Sequence, residues 1–170
     1  MGIDKIVKIK SFKRVCKTCR KLQKEGKRIV FCHGFFDILH RGHVTLLIEA
    51  EKLGDVLVVG VDHDDNAKIL KGPKRPVNDH NSRMFVLANL ETVNYVFLIP
   101  SFAKEKNIEN FWINIYEKLN PDIVATSLKA GRFGKVRKRQ AKKAGIKFVD
   151  INHGFYDKGT TKLLKIFGLE

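Results

Sequence analysis

Five short runs of this 170-residue chain are apolar nearly from end to end, and longer amphipathic stretches separate them. They are IVFCHGFF from Ile29, DVLVVGVD from Asp55, NYVFLI from Asn94, DIVATS from Asp122 and IKFVDI from Ile146. A strand with one face in water alternates apolar and polar residues, whereas a strand that is apolar throughout needs cover on both faces. The stretches between the runs have helical spacing. VTLLIEAEKLG closes on Gly54, residues 79–90 begin at a cap supplied by Asp79 or Asn81, ENFWINIYEKL repeats Phe111, Ile115 and Leu119 every four residues, and a basic helix covers 135–144. Strand, helix and strand in succession make a βαβ unit. The expected fold class is therefore α/β, a doubly wound parallel sheet of about five strands with helices on both faces. Residues 64–78 contain Gly72, Pro73 and Pro76 and are read mainly as a loop, and TTKLLKIFG as a short terminal helix.

Ahead of the first strand, Phe12, Val15, Cys16, Cys19 and Leu22 form one apolar stripe on a basic helix that Gly26 stops. The basicity is general, with a net charge of +15. It is also uneven: between Lys5 and Arg28 the only acid is Glu25, and Lys129 to Lys147 contains none. Such a field attracts nucleotides, nucleic acid and anionic membrane surfaces alike, and two solvated helix faces are the plain alternative. Three cysteines allow at most one disulfide, which fits a reducing compartment. MGIDKIVKIK has no apolar signal core and no run approaches the roughly 20 apolar residues of a membrane span, so a cytoplasmic location is expected.

The junction after the first run carries chemistry. Residues 33–43 read HGFFDILHRGH, placing His40 and His43 around Gly42 where a helix begins. In a doubly wound sheet ligands sit outside the carboxyl ends of the strands, where the strand order reverses. Gly34 lets the backbone approach a ligand, and the helix start offers N–H groups and a partial positive charge to an anion. Two imidazoles there can donate hydrogen bonds to phosphate oxygens. Two other readings compete. The histidines could be half of a zinc site completed by Cys16 and Cys19, although those cysteines lie on the apolar stripe, or they could be packing and capping residues. His33 reads as a strand-end residue, and His63, His80 and His153 as surface histidines.

Gly34-Phe35-Phe36-Asp37-Ile38-Leu39-His40-Arg41-Gly42-His43 resembles the G-x-F-D-x-x-H-x-G-H motif of the nucleotidylyltransferase superfamily. Lys71-Gly72, Arg75-Pro76-Val77-Asn78, Arg83-Met84 and Leu90-Glu91 are similar to the adenylyltransferase domain that activates heptose 1-phosphate. Glycerol-3-phosphate cytidylyltransferases are similar in the same region but carry Arg-Tyr-Val-Asp where this chain has Asn94-Tyr95-Val96-Phe97. The family's Ile-Ser-Thr-Thr segment appears as Lys158-Gly159-Thr160-Thr161, and its acidic loop after the fourth strand is replaced by Thr126-Ser127-Leu128-Lys129-Ala130-Gly131-Arg132.

The resemblance implies a Rossmann-like nucleotidylyltransferase domain over 28–170 behind a basic helical extension, 1–27. It implies transfer of a nucleoside monophosphate from a triphosphate to a phosphomonoester, with ATP favoured over CTP and a sugar phosphate as acceptor. His40, His43 and Lys71 would be catalytic; Gly34, Phe35, Phe36, Asp37, Gly42, Thr160 and Thr161 would bind nucleotide; Arg75 and Arg83 would hold substrate or leaving-group phosphate. Mg²⁺ would accompany the triphosphate, held by phosphate oxygens and water with Asp37 behind it. Relatives of this kind often form dimers, so the resemblance allows a homodimer. The alternatives are CTP-dependent transfer to glycerol 3-phosphate or an alcohol phosphate and, from another class, nucleic-acid binding on the same scaffold.

Overall fold

A computed structural model of the chain describes residues 7–129 and 133–152, together with Gly154 and Gly168. Five strands, β1 (Ile29–Gly34), β2 (Val56–Asp62), β3 (Tyr95–Ile99), β4 (Ile123–Thr126) and β5 (Lys147–Asp150), form one sheet in the order β3-β2-β1-β4-β5. Every pairing in it is parallel. The helices are α1 (Phe12–Lys24), α2 (Arg41–Glu51), α3 (Asp64–Lys71), α4 (His80–Ala88), α5 (Ile108–Leu119) and α6 (Phe133–Lys143).

The apolar runs explain the layering. Successive strand residues point to opposite faces, and both faces are covered. Ile29 and Phe31 join Val56, Val58, Phe97 and Val124 under α1, α5 and α6. Val30 and Cys32 join Leu57, Val59, Val61 and Ala125 under α2 and α4. The chain thus leaves β1 on one face of the sheet, through α2, and reaches β4 on the other, through α5. That reversal opens a crevice at the carboxyl ends of β1 and β4.

The segment read as an extension shares the domain's core. Val15, Cys16 and Cys19 of α1 pack in the first cluster. Just ahead of it, Val96 N–H donates to the Lys8 carbonyl at 2.9 Å and Lys10 N–H to the Val96 carbonyl at 3.0 Å, which covers the free edge of β3. Residues 64–78 also differ from expectation, because their first half is the helix α3. His63 caps it, Asp64 and Asp65 sit in its first turn, Lys68 and Lys71 in its last, and Gly72 ends it at φ +105°. The terminal helix expected over TTKLLKIFG lies outside the described residues. Among the described residues no helix is long and apolar enough to cross a membrane.

Candidate active site

The histidine pair sits at the start of α2, one loop beyond the end of β1. His40 is the helix cap: its backbone is extended and its Nδ1 accepts the Gly42 N–H at 3.1 Å. An accepting Nδ1 leaves the proton of the neutral ring on Nε2, which is therefore a donor. The His43 ring stacks on His40 with centroids 3.9 Å apart and meets Phe36 edge-on at 5.3 Å. Phe36 lies in the left-handed region at φ +47°, an uncommon conformation for an aromatic residue, with its ring buried in the core under α2 and α4. The strained turn brings the chain out of β1 and sets the imidazoles side by side. Capping, one of the plain alternatives for His40, and a donor role therefore coexist in one ring.

Asp37, Arg75 and Arg83 are buried and meet protein partners. Asp37 is buried, and its carboxylate accepts from Arg75 Nε, Val77 N–H and Asn78 N–H, each at 2.9 Å. Asn78 Nδ2 donates to the Asp37 carbonyl at 2.7 Å. Asp37 is thus the clasp that fastens residues 75–78 under the β1–α2 loop. Arg75, 4 % exposed, is held in that clasp. Arg83 is 2 % exposed and donates to the carbonyls of Phe35, Asp62 and Asn78 and to the Asp64 carboxylate. It ties the loop after β1 to the end of β2 and the start of α3. Burial and these protein partners hold both side chains in place. A small cavity of about 110 Å³ lies beside this knot, between Phe36, Asn78, Ser82 and Val86.

The structure brings other expected residues together. Gly34 ends β1 at the crevice. Lys71, at the end of α3, reaches over the Phe35 ring at 5.6 Å and the Phe133 ring at 5.2 Å, where the cation meets the aromatic faces at the crevice's lip. Thr160 and Thr161 lie outside the described residues. Asn94, which stands in place of the family's arginine, is at the amino end of the sheet, accepting from Leu57 N–H at 2.7 Å. It lies at the opposite end of the strands from the crevice.

Arg137 of α6 lies at the crevice and is concealed in the sequence by its basic surroundings. Its Nη1 donates to Thr126 Oγ1 at 3.0 Å. Below it, His33 is stacked on Trp112 at 4.2 Å and hydrogen-bonded to Tyr116 at 2.8 Å, a core position at the strand end. Burial, reinforced by the Arg137 charge, holds His33 well below the ordinary histidine range. Burial also pushes the Asp62 carboxyl up to about 6, with Arg137 opposing it. Gly134 makes the approach of α6 feasible, because a Cβ there would fall 2.7 Å from Leu128 Cα and Ser127 O.

The remaining histidines and the cysteines have structural roles. His63 caps α3 and stacks on His80 at 5.0 Å, and His80 meets Asp64 at 2.8 Å; His153 lies outside the described residues. Cys16 and Cys19 are buried in the core cluster that α1 shares with β1, and burial pushes the Cys19 thiol up to about 12. Among the described residues no three His, Cys, Asp or Glu side chains converge on a metal position.

Residues 31–149 match the family model described as cytidylyltransferase-like. Bifunctional protein HldE of a Nitratiruptor species is 51% identical over 90 residues, 53% of this chain and 20% of that one. HldE of Helicobacter pylori (strain J99) is 41% identical over 108 residues, 64% of this chain and 22% of that one. The chain thus spans about a fifth of the length of these relatives. Among solved structures, the lipopolysaccharide core biosynthesis protein from Thermoplasma volcanium GSS1 superposes with a TM-score of 0.60 at 31% identity, covering 75% of this chain and 98% of that one. Pantoate-beta-alanine ligase from Francisella tularensis shares the fold, with a TM-score of 0.58 at 16% identity over 84% of this chain and 66% of that one. With its strand-to-helix histidine junction inside the matched segment, the chain belongs to the cytidylyltransferase-like family.

Proposed function

We propose that this protein transfers a nucleoside monophosphate, from ATP in preference to CTP, to the phosphate of a sugar phosphate. An oxygen of the acceptor phosphate attacks the α-phosphorus in line, the new P–O bond forms, the bond to the β-phosphate breaks, and pyrophosphate leaves with its electron pair. No covalent enzyme intermediate is needed, so the protein's work is to position two anions and neutralise charge spread over the equatorial oxygens. His40 Nε2–H, the His43 ring and the start of α2 would donate to the α-phosphate, and Lys71 would bridge the phosphates of the triphosphate. Mg²⁺, when bound with the triphosphate, would supply charge neutralisation from phosphate oxygens and water.

The observation that carries this reading is the stacked His40–His43 pair at a helix start beside the switch-point crevice. The preference for ATP and a sugar phosphate rests on the likeness to the adenylyltransferase domain. Pyrophosphate release across a matrix of ATP and CTP against hexose 1-phosphates, glycerol 3-phosphate and an alcohol phosphate tests it. ATP with a sugar phosphate should give the highest rate; a CTP optimum with glycerol 3-phosphate would replace the substrate assignment, and inert protein throughout would remove the activity.

A further inference from the structure

We propose that Arg137 binds the phosphate of the acceptor, and that the polar floor it shares with Asp62, His33 and Thr126 selects a hydroxyl-rich phosphomonoester. This rests on the transfer reaction above and names the subsite that would receive its second substrate.

Strand register places the group. His33 pairs with Gly60 across β1 and β2, and Phe31 with Val124 across β1 and β4. With side chains alternating along each strand, His33, Asp62 and Thr126 share one face of the sheet at its carboxyl end. Arg137 reaches that end from α6. Its Nη1 is bonded to Thr126, and its Nη2 would lie 3.8 Å from a Cβ built on Gly34, so the guanidinium spans the tips of β4 and β1. Arg137 comes from α6, on the sheet face opposite α2, and its guanidinium reaches over the strand tips toward Gly34. The anion it would hold is assigned to the acceptor, and the α-phosphate to the histidine pair at the start of α2.

Two features support a ligand at this position. Among the described residues Arg137 makes one hydrogen bond and no ion pair, whereas Arg75, Arg83 and Arg139 each meet a carboxylate. A guanidinium has five N–H donors in a fork that fits phosphate. Asp62 Oδ1 and His33 Nδ1 are buried with no hydrogen-bond partner, although their residues are 2 % and 5 % exposed. Buried polar atoms are ordinarily satisfied, and an orphaned carboxylate oxygen calls for a donor. A triphosphate tail offers only acceptors at neutral pH. A polyhydroxylated phosphomonoester offers both requirements, an anion for Arg137 and hydroxyl donors for the floor once side-chain movement at the crevice opens it.

The test is steady-state kinetics and equilibrium binding on Arg137→Met and Arg137→Lys. Loss of a charged hydrogen bond to phosphate should raise the acceptor KM on the order of 10- to 100-fold in Arg137→Met. The KM for ATP should stay within about twofold, and Arg137→Lys, which keeps the charge without the fork, should be intermediate. A rise confined to the ATP KM, or no rise in either, would overturn the assignment. Binding is read separately from turnover by thermal shift with a hexose 1-phosphate and, alongside, inorganic phosphate, both without nucleotide. The hexose phosphate should stabilise wild type more than phosphate does, and Arg137→Met should lose both effects. Equal stabilisation of wild type and Arg137→Met overturns the proposal even if the protein is a nucleotidyltransferase. An Arg137-dependent shift without pyrophosphate release keeps the anion site and removes only the reaction.

Discussion

Replacing Asp37 separates a clasp from a nucleotide ligand. Asp37→Ala removes the acceptor of three hydrogen bonds and leaves Arg75, whose side chain is 5 % exposed, without its buried carboxylate. Breaking a buried ion pair from one side costs about 3–5 kcal/mol, because the surviving charge stays desolvated. For a domain of this size each kcal/mol moves Tm by about 2–4 °C, so the variant should melt about 6–20 °C below wild type. Calorimetry or thermal denaturation by circular dichroism measures it. The double variant Asp37→Ala/Arg75→Met removes the stranded charge and should recover part of the loss, giving a coupling of at least about 1 kcal/mol in the cycle. An Asp37→Ala protein that melts with wild type and loses only nucleotide affinity would refute the clasp and return Asp37 to the ligand.

Much of the architecture is legible in the sequence because the strands are doubly covered. The five apolar runs are the five strands, and the stop signals at Gly26 and Pro121 lie just past the ends of α1 and α5. α3 escapes a sequence reading for a physical reason. Its caps are present, with Asp64 and Asp65 at the start and Lys68 and Lys71 at the end, but Gly72, Pro73 and Pro76 draw the whole stretch into the loop they form. At the crevice, the histidine motif is placed by its spacing at the strand-to-helix junction, and Lys71 by the family resemblance. For Asp37, Arg75 and Arg83 the same reasoning does not reveal their buried protein partners, because a charged residue in a motif looks the same whether it faces a ligand or a buried partner. Only the tertiary contact between the β1–α2 loop and residues 75–83 distinguishes the two. Arg137 is hidden by eight other basic residues in its block, and nothing local singles it out, because Arg139 and Lys143 of the same block find their carboxylate in Glu109 of α5.

His40→Ala and His43→Ala should each lower turnover on the order of 100-fold or more, and His40→Ala should also lose about 1 kcal/mol of stability as a helix cap, measured by urea denaturation. Asp62, with a folded-state pKa raised to about 6 from 3.8, contributes stability that is present below pH 4 and lost as pH rises toward 6. Asp62→Asn should therefore gain on wild type between pH 4 and pH 7; a constant difference across that window would contradict the buried carboxylate. Gly134→Ala should destabilise by about 1–3 kcal/mol, since its Cβ meets the backbone of Leu128 and Ser127 at 2.7 Å, and should weaken acceptor binding by displacing α6. Chemical denaturation and acceptor KM check the two effects independently.

Where the label goes tests the reaction most directly. Wild type and His43→Ala are incubated with a sugar phosphate and ATP carrying ³²P at either the α or the γ position, and radioactivity in the acceptor product is counted. Nucleotidyl transfer at the histidine pair places the α label in the product, leaves the γ label in pyrophosphate, and falls on the order of 100-fold in His43→Ala. Label from the γ position in the acceptor, or α-label transfer undiminished in His43→Ala, would contradict it.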